Sequence, residues 1–212
     1  MLSLMLLHLF ISAAIVADMR VTGGILRGRL IKVPKGDEVR PTQDMVRQAV
    51  FSSLAERIPG SSFLDLFAGT GAVGLEAWSR GATRIDWVEG GAQVFPVLKA
   101  NLDVLCGGVS GKTEEQEWKA TRSDVFRYIE GLRGLQSYNI IFADPPYDRL
   151  GTACWAMKLL NIMALGGLVA EDGIFVMEQS RDEVEAQHFA WEIMTSKGYG
   201  GTRVTMYKKT RK

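Results

Sequence analysis

The chain has 212 residues, 47% of them apolar and 23% charged, a balance that excludes global disorder and allows one domain-sized core. Two cysteines, Cys106 and Cys154, cannot build a disulfide framework, and no Cys/His spacing suggests a metal site. The net charge of +1 hides an uneven layout: Lys and Arg crowd residues 19–57 and 197–212 while Asp and Glu prevail between them, and two basic ends suggest a polyanionic partner such as nucleic acid.

Residues 1–17 carry no Asp, Glu, Lys or Arg. The run is short for a membrane-spanning helix, which needs about 20 residues. It lacks the basic start of a secretory signal, and Ile15-Val16-Ala17 is a poor cleavage site. With Met19 directly downstream, residues 1–18 read as a leader outside the fold, produced by a start placed too far upstream. Residues 19–212 then form a single domain, with 19–60 as an N-terminal extension of hairpin and helix. Residues 20–33 alternate and contain Gly23-Gly24, which predicts a hairpin with Arg27 and Arg29 on one face of its second strand. Thr42 is placed to cap a helix with Asp44 in its first turn. Val46, Val50 and Leu54, four apart, give that helix a buried face, and Pro59-Gly60 ends it.

From residue 62 the pattern alternates. Strands are expected at 63–67, 84–89, 119–123, 139–143 and 174–178. Helices are expected at 72–80, at 92–105, from Val125, and around 151–163. The Gly-, Ser- and Glu-rich stretch 107–117 reads as a surface loop. Two closing strands, near 189–195 and 202–208, are joined by a turn holding Gly198, Gly200 and Gly201. The expected fold is α/β: a mostly parallel sheet with helices on both faces and an antiparallel strand added at the edge by the last hairpin.

Between the first strand and helix of this alternation lies Asp65-Leu66-Phe67-Ala68-Gly69-Thr70-Gly71-Ala72-Val73-Gly74. Its G-x-G-x-x-G permits a tight turn and close backbone approach to a ligand. Glu89, at the end of the next strand, can accept both hydroxyls of a ribose. A dinucleotide would bring a pyrophosphate here, which Asp65 would repel. S-adenosylmethionine brings a sulfonium and an ammonium, which a carboxylate attracts. A cap on the following helix is the alternative role for Asp65.

The apolar strand 139–143 runs into Asp144-Pro145-Pro146-Tyr147. In an open α/β sheet this element opens into the same crevice as Gly69. An exocyclic base amine is a poor nucleophile because its lone pair is delocalised into the ring. Asp144 and the Pro145 carbonyl can each accept one of its N–H groups and turn the lone pair out of conjugation. Proline offers no competing N–H and a locked φ, and Tyr147 offers a flat face to a base. No cysteine lies in either motif, which argues against a thiolate attack on a pyrimidine ring.

Together the two motifs resemble the class I S-adenosylmethionine-dependent amino-methyltransferases, whose sheet is Rossmann-like. Gly23-Gly24, Arg27-Gly28-Arg29-Leu30, Arg40-Pro41-Thr42, Val46-Arg47 and the closing Tyr199-Gly200-Gly201-Thr202 narrow the resemblance to the RsmD family of bacterial 16S rRNA guanine-N2 methyltransferases. The similarity covers nearly all of 19–212. It implies S-adenosylmethionine as cofactor, no metal, a small N-terminal hairpin extension, and methylation of one guanosine of small-subunit rRNA or of an assembling subunit. It further implies a cytoplasmic monomer. By position, Asp65, Phe67, Ala68, Gly69, Gly71, Glu89, Asp124 and Val125 match the cofactor site, with Asp124 where such enzymes bind the adenine amino group. Asp144, Pro145, Pro146 and Tyr147 match the catalytic element. Arg27, Arg29, Arg40, Thr42 and Arg47 are the candidates for RNA contacts. Adenine-N6 or cytosine-N4 DNA methylation and non-catalytic nucleic-acid binding are the competing functions, and neither explains the whole set.

Overall fold

A computed structural model describes residues 19–34, 41–107, 116–146 and 154–210, and in 41–43 the backbone only. The leader reading for 1–18, and the assignments of Arg40 and Tyr147, lie outside the described residues. The elements, in chain order, begin with two short strands, β1 (Met19–Arg20) and β2 (Leu30–Ile31), followed by α1 (Pro41–Ser53) and a 3-10 turn at Ala55–Arg57. Then come β3 (Ser62–Leu66), α2 (Ala72–Ser79), β4 (Arg84–Glu89), α3 (Phe95–Leu105) and β5 (Glu117–Arg122). The chain continues through α4 (Val125–Gly131), β6 (Tyr138–Ala143), α5 (Trp155–Gly166), β7 (Val169–Ser180), β8 (Trp191–Tyr199) and β9 (Thr202–Lys209).

Seven strands form one sheet in the order β5-β4-β3-β6-β7-β9-β8. β5, β4, β3, β6 and β7 are parallel, and β9 is antiparallel to both β7 and β8. The antiparallel strand is therefore the last in sequence, as expected, but it lies inside the sheet, and β8 forms the edge. The chain winds outward from β3 to β5 and then restarts at β6 on the other side of β3. That reversal opens a crevice at the carboxyl ends of β3 and β6.

Apolar residues on alternate strand positions divide into two cores, one per face. One holds Phe63, Trp87, Phe142 and Val176 with α2 and α3. The other holds Leu64, Ile141 and Phe175 with α4 and α5. The N-terminal extension belongs to the first core. Val46, Val50 and Leu54 are buried there as their spacing predicts, beside Val21, Leu26 and Ile31. α1 starts at Pro41, so Thr42 lies within the helix rather than at its cap, because proline's fixed φ suits the first helical position.

Polar contacts fasten the extension to α2. The Ile25 N–H donates to the Ser79 carbonyl at 2.8 Å and the Leu26 N–H to the Ser79 hydroxyl at 2.8 Å. Glu76, fully buried, accepts from the Thr22 N–H at 2.5 Å, from Arg47 Nε at 3.2 Å and from Arg80. A buried carboxylate needs such partners, since leaving it unpaired costs several kcal/mol. Asn101 on α3 bonds Lys32 of the extension through both backbone groups, at 2.9 and 3.0 Å, and the Thr70 carbonyl of the glycine loop at 3.0 Å. Among the described residues no helix is long and apolar enough to cross a membrane.

Candidate functional site

The glycine loop leaves β3 through Phe67, a bulky residue held at φ +58°. That left-handed conformation costs of order 1–3 kcal/mol for such a side chain and is concentrated at functional sites. Ala68 is pinned by its N–H to the Val88 carbonyl at 3.0 Å, and Gly71 caps α2 at φ +88°. A Cβ added at Gly69 would meet nothing within 4 Å, so the backbone there faces open space that a ligand can enter. Gly74 plays a different part: a Cβ there would lie 2.2 Å from Trp87 Nε1. It is required for close packing of helix on strand.

Strand register gathers carboxylates at the crevice. Leu66 pairs with Val88 and with Ala143, and Ala143 pairs with Met177. One residue further along, Glu89, Phe67, Asp144 and Glu178 therefore form a row across four adjacent strands. Alternation puts Asp65, Glu89, Asp144 and Glu178 on the sheet face of Trp87, Phe142 and Val176. Asp65 is 1% exposed and accepts the Gly74 N–H at 2.9 Å, so it does cap α2 from below the loop. Burial pushes its carboxyl well up; the Gly74 hydrogen bond opposes this, and Asp144 and Glu89 add to the rise. Burial likewise pushes Asp144 up to about 7. Asp144 is itself open to the crevice, so water offsets part of that rise. Glu178 is pushed up to about 8 by burial first and by the Asp144 charge second, against a hydrogen bond from the Thr202 side chain. A crevice with this balance attracts a cation.

Glu89 accepts the Gly69 N–H at 2.8 Å and the Gly91 N–H at 2.5 Å, one on each oxygen. It thus fixes the loop while each oxygen keeps acceptor capacity for a hydroxyl. Asp124 caps α4, accepting the Arg127 N–H at 3.0 Å, and Val125 is buried behind it. Pro145 is buried and Pro146 exposed at the mouth. Two aromatic rings outside the predicted site, Trp155 and Phe126, converge on Phe67: Trp155 stacks on Phe126 at 5.8 Å and meets Phe67 edge-on at 6.0 Å. Among the described residues no group of three or more His, Cys, Asp or Glu is placed to hold a metal ion.

The candidate RNA contacts separate. Arg27 and Arg29 are both exposed, but Arg27 lies in a turn, not on a strand face, because the hairpin strands are two residues long. Arg47 corrects the sequence reading. It is 5% exposed, and its guanidinium is consumed by Glu76, by Asp44 at 2.9 Å and by the Arg20 carbonyl at 2.8 Å. It braces the extension and offers no face to a phosphate. Glu178, also missed, carried one legible signal, an acid ending the apolar run Ile174-Phe175-Val176-Met177.

Comparison with known proteins places this geometry. The model of a family described as Conserved hypothetical protein 95 matches residues 19–208. A Bacillus subtilis protein named as an rRNA methyltransferase, YlbH, is 33% identical over 90% of this chain and 99% of its own length. Ribosomal RNA small subunit methyltransferase D of Escherichia coli K12 is 30% identical over 91% of this chain and 90% of its own. Among solved structures, one of an Escherichia coli protein described as methyltransferase yhhF superposes with a TM-score of 0.75 at 28% identity, covering 92% of this chain and all of that one. The chain belongs to the Conserved hypothetical protein 95 family, the RsmD methyltransferases that its glycine loop, its Asp-Pro-Pro element and its N-terminal signature resemble.

Proposed function

We propose that this chain methylates the exocyclic N2 amine of a guanosine in small-subunit rRNA, using S-adenosylmethionine, as a cytoplasmic monomer. The observation that carries this is the emergence of Asp144-Pro145-Pro146 from β6 in register with the end of the glycine-loop strand β3, at the point where the sheet reverses. The names of the relatives support rRNA as the substrate.

The residues fit the cofactor. Residues 65–74 contain no Lys or Arg for a pyrophosphate, whereas the carboxylate row suits a cation. Phe67, Ala68, Gly69 and Gly71 would hold the cofactor with backbone and open space, Glu89 its ribose, and Asp124 and Val125 its base. Bound there, S-adenosylmethionine supplies an activated methyl group. Asp144 and the Pro145 carbonyl each accept one N–H of the substrate amine and so turn its lone pair toward the cofactor. One of those protons passes to an Asp144 carboxylate oxygen as the amine is methylated. A carboxyl raised to about 7 is matched to that transfer near neutral pH, and its open side returns the proton to water. Tyr147 supplies a face for the base. Arg27, Arg29 and Arg40 contact RNA phosphates, and Thr42 also contacts the RNA.

The test is to map methylated nucleosides on small-subunit rRNA from cells with and without the protein. One N2-methylguanosine that disappears with the gene and returns with purified protein is expected. Loss of a different methylated nucleoside, or of one in DNA, refutes the assignment.

A further inference from the structure

We propose that Glu178 selects guanine at this site: its carboxyl accepts the ring N1–H while Asp144 accepts from the neighbouring N2 amine. The inference rests on the function proposed above and deepens it.

Four observations carry it. First, Ala143 pairs with Met177 on parallel strands, so Glu178 is the register neighbour of Asp144 on β7. Adjacent strands lie about 4.8 Å apart, a spacing from which two carboxyls can reach two neighbouring donors on one base edge. Second, Glu178 and Asp144 share a sheet face, and β7 lies on the side of β6 away from the glycine-loop strand β3. Asp144 therefore stands between the loop and Glu178, which puts Glu178 with the substrate rather than the cofactor. Third, Glu178 is 9% exposed, and no Lys or Arg among the described residues forms an ion pair with it. An acid buried in this way, ending an otherwise apolar run, costs stability that an apolar residue would not. Fourth, the Thr202 side chain of β9 hydrogen-bonds it from the side of β7 away from β6, which anchors the carboxyl while it keeps acceptor capacity for a donor on the β6 side.

Base chemistry converts this placement into selectivity. Guanine presents a donor, N1–H, beside its exocyclic amine. Adenine and cytosine present a bare ring nitrogen, an acceptor, beside theirs. In its ionised form, which donation from N1–H favours, the Glu178 carboxylate pairs with the first and opposes the lone pair of the other two. Asp144 alone would accept any of the three amines. The second carboxyl therefore distinguishes N2 of guanine from N6 of adenine and N4 of cytosine, by a polar mismatch rather than by pocket size.

The experiment uses the full chain and an rRNA fragment spanning the mapped target. The nucleoside formed by the wild-type protein is identified first; a product other than N2-methylguanosine sinks the proposed function and this inference with it. With that product in hand, the target guanosine is replaced by 2-aminopurine riboside, which keeps the amine and lacks N1–H. Wild-type kcat/KM should fall by about ten- to hundredfold, the usual discrimination carried by one well-formed base-edge contact, and binding of the fragment without cofactor should weaken in the same direction. Glu178→Gln, whose amide can accept from N1–H or turn to donate to the bare nitrogen, should gain on the 2-aminopurine fragment and narrow the preference. Thermal unfolding and calorimetric cofactor binding show whether the variant is folded, and the wild-type analogue arm stands without it. Equal use of both fragments by the wild-type protein, or an unchanged preference in a folded Glu178→Gln, would overturn the role of Glu178 and leave the N2 assignment standing.

Discussion

Gly74→Ala tests whether the third glycine of the loop is there for packing. The new Cβ would lie 2.2 Å from Trp87 Nε1, 2.4 Å from Cε2 and 2.8 Å from Cζ2. Ordinary contacts are about 3.5–4.0 Å, so helix and ring must part by roughly 1 Å. Trp87 cannot yield easily. It is fully buried, its Nε1 donates to the Gly71 carbonyl at 3.3 Å, and its ring meets Trp118 edge-on at 6.4 Å. The amino end of α2 must therefore lift, stretching the 2.9 Å bond from the Gly74 N–H to Asp65. Overpacking costs about 1–3 kcal/mol, weakening that buried bond adds about 1–3, and alanine's helix preference over glycine returns about 1. The net loss is about 1–5 kcal/mol, which for a chain of this size lowers Tm by about 2–20 °C. Because the glycine loop moves with the helix, S-adenosylmethionine affinity should fall at least about tenfold, or ~1.4 kcal/mol. Thermal unfolding and titration calorimetry read both. Trp87→Leu should relieve the clash, so the double variant should lose less stability than the sum of the two single changes. A Gly74→Ala protein with wild-type Tm and cofactor affinity would refute the packing argument.

Other expectations follow from the same geometry. Asp144→Ala removes one of two acceptors at the amine and should slow single-turnover methyl transfer by about 10²–10³ with cofactor affinity nearly unchanged, while Asp144→Asn should be impaired less; near-wild-type transfer by the alanine variant contradicts the proposed role. Charge reversal at Arg27 and Arg29 should flatten the salt dependence of RNA binding by about 0.7–0.9 in log–log slope per lost phosphate contact, and an unaltered slope would return them to ordinary surface. Arg47→Ala should leave that slope intact and instead destabilise the fold by about 3 kcal/mol, since it strips a partner from buried Glu76; denaturant unfolding measures it, and a stable variant with a changed slope reverses the assignment. Asp144 and Glu178 are raised to about 7 and about 8 from 3.8 and 4.5, so the fold holds protons that the unfolded chain releases. Their contribution is fully present below about pH 4 and is lost as pH rises to 8. Glu178, the buried member, carries most of this and Asp144, open to water, less, so Tm without cofactor should fall between pH 5 and 8, less steeply in Glu178→Gln, and a rise across that window would contradict the burial of Glu178.

Much of this protein is determined locally, and the sequence shows it. Val46, Val50 and Leu54 fall on one face because helical period is a property of the chain, and the strand at 139–143 is apolar enough to be read without its neighbours. The glycine loop and Asp144-Pro145-Pro146 are legible because their chemistry depends on backbone freedom and fixed φ, both local properties. β7 illustrates the limit. Its first residues, Val169 to Gly173, include Glu171, Asp172 and a glycine, poor strand formers; the strand nonetheless starts at Val169, which pairs with Tyr138 of β6, and the register shifts before Ile174 pairs with Ile140. Arg47 and Arg27 look equivalent in sequence, yet one is buried against Glu76 and the other lies in an exposed turn, because burial depends on what the rest of the chain places opposite. The carboxylate row is the clearest case. Asp65, Glu89, Asp144 and Glu178 are scattered over 114 positions, and only the register of four parallel strands, set by long-range hydrogen bonding and core packing, brings them to one face of one crevice.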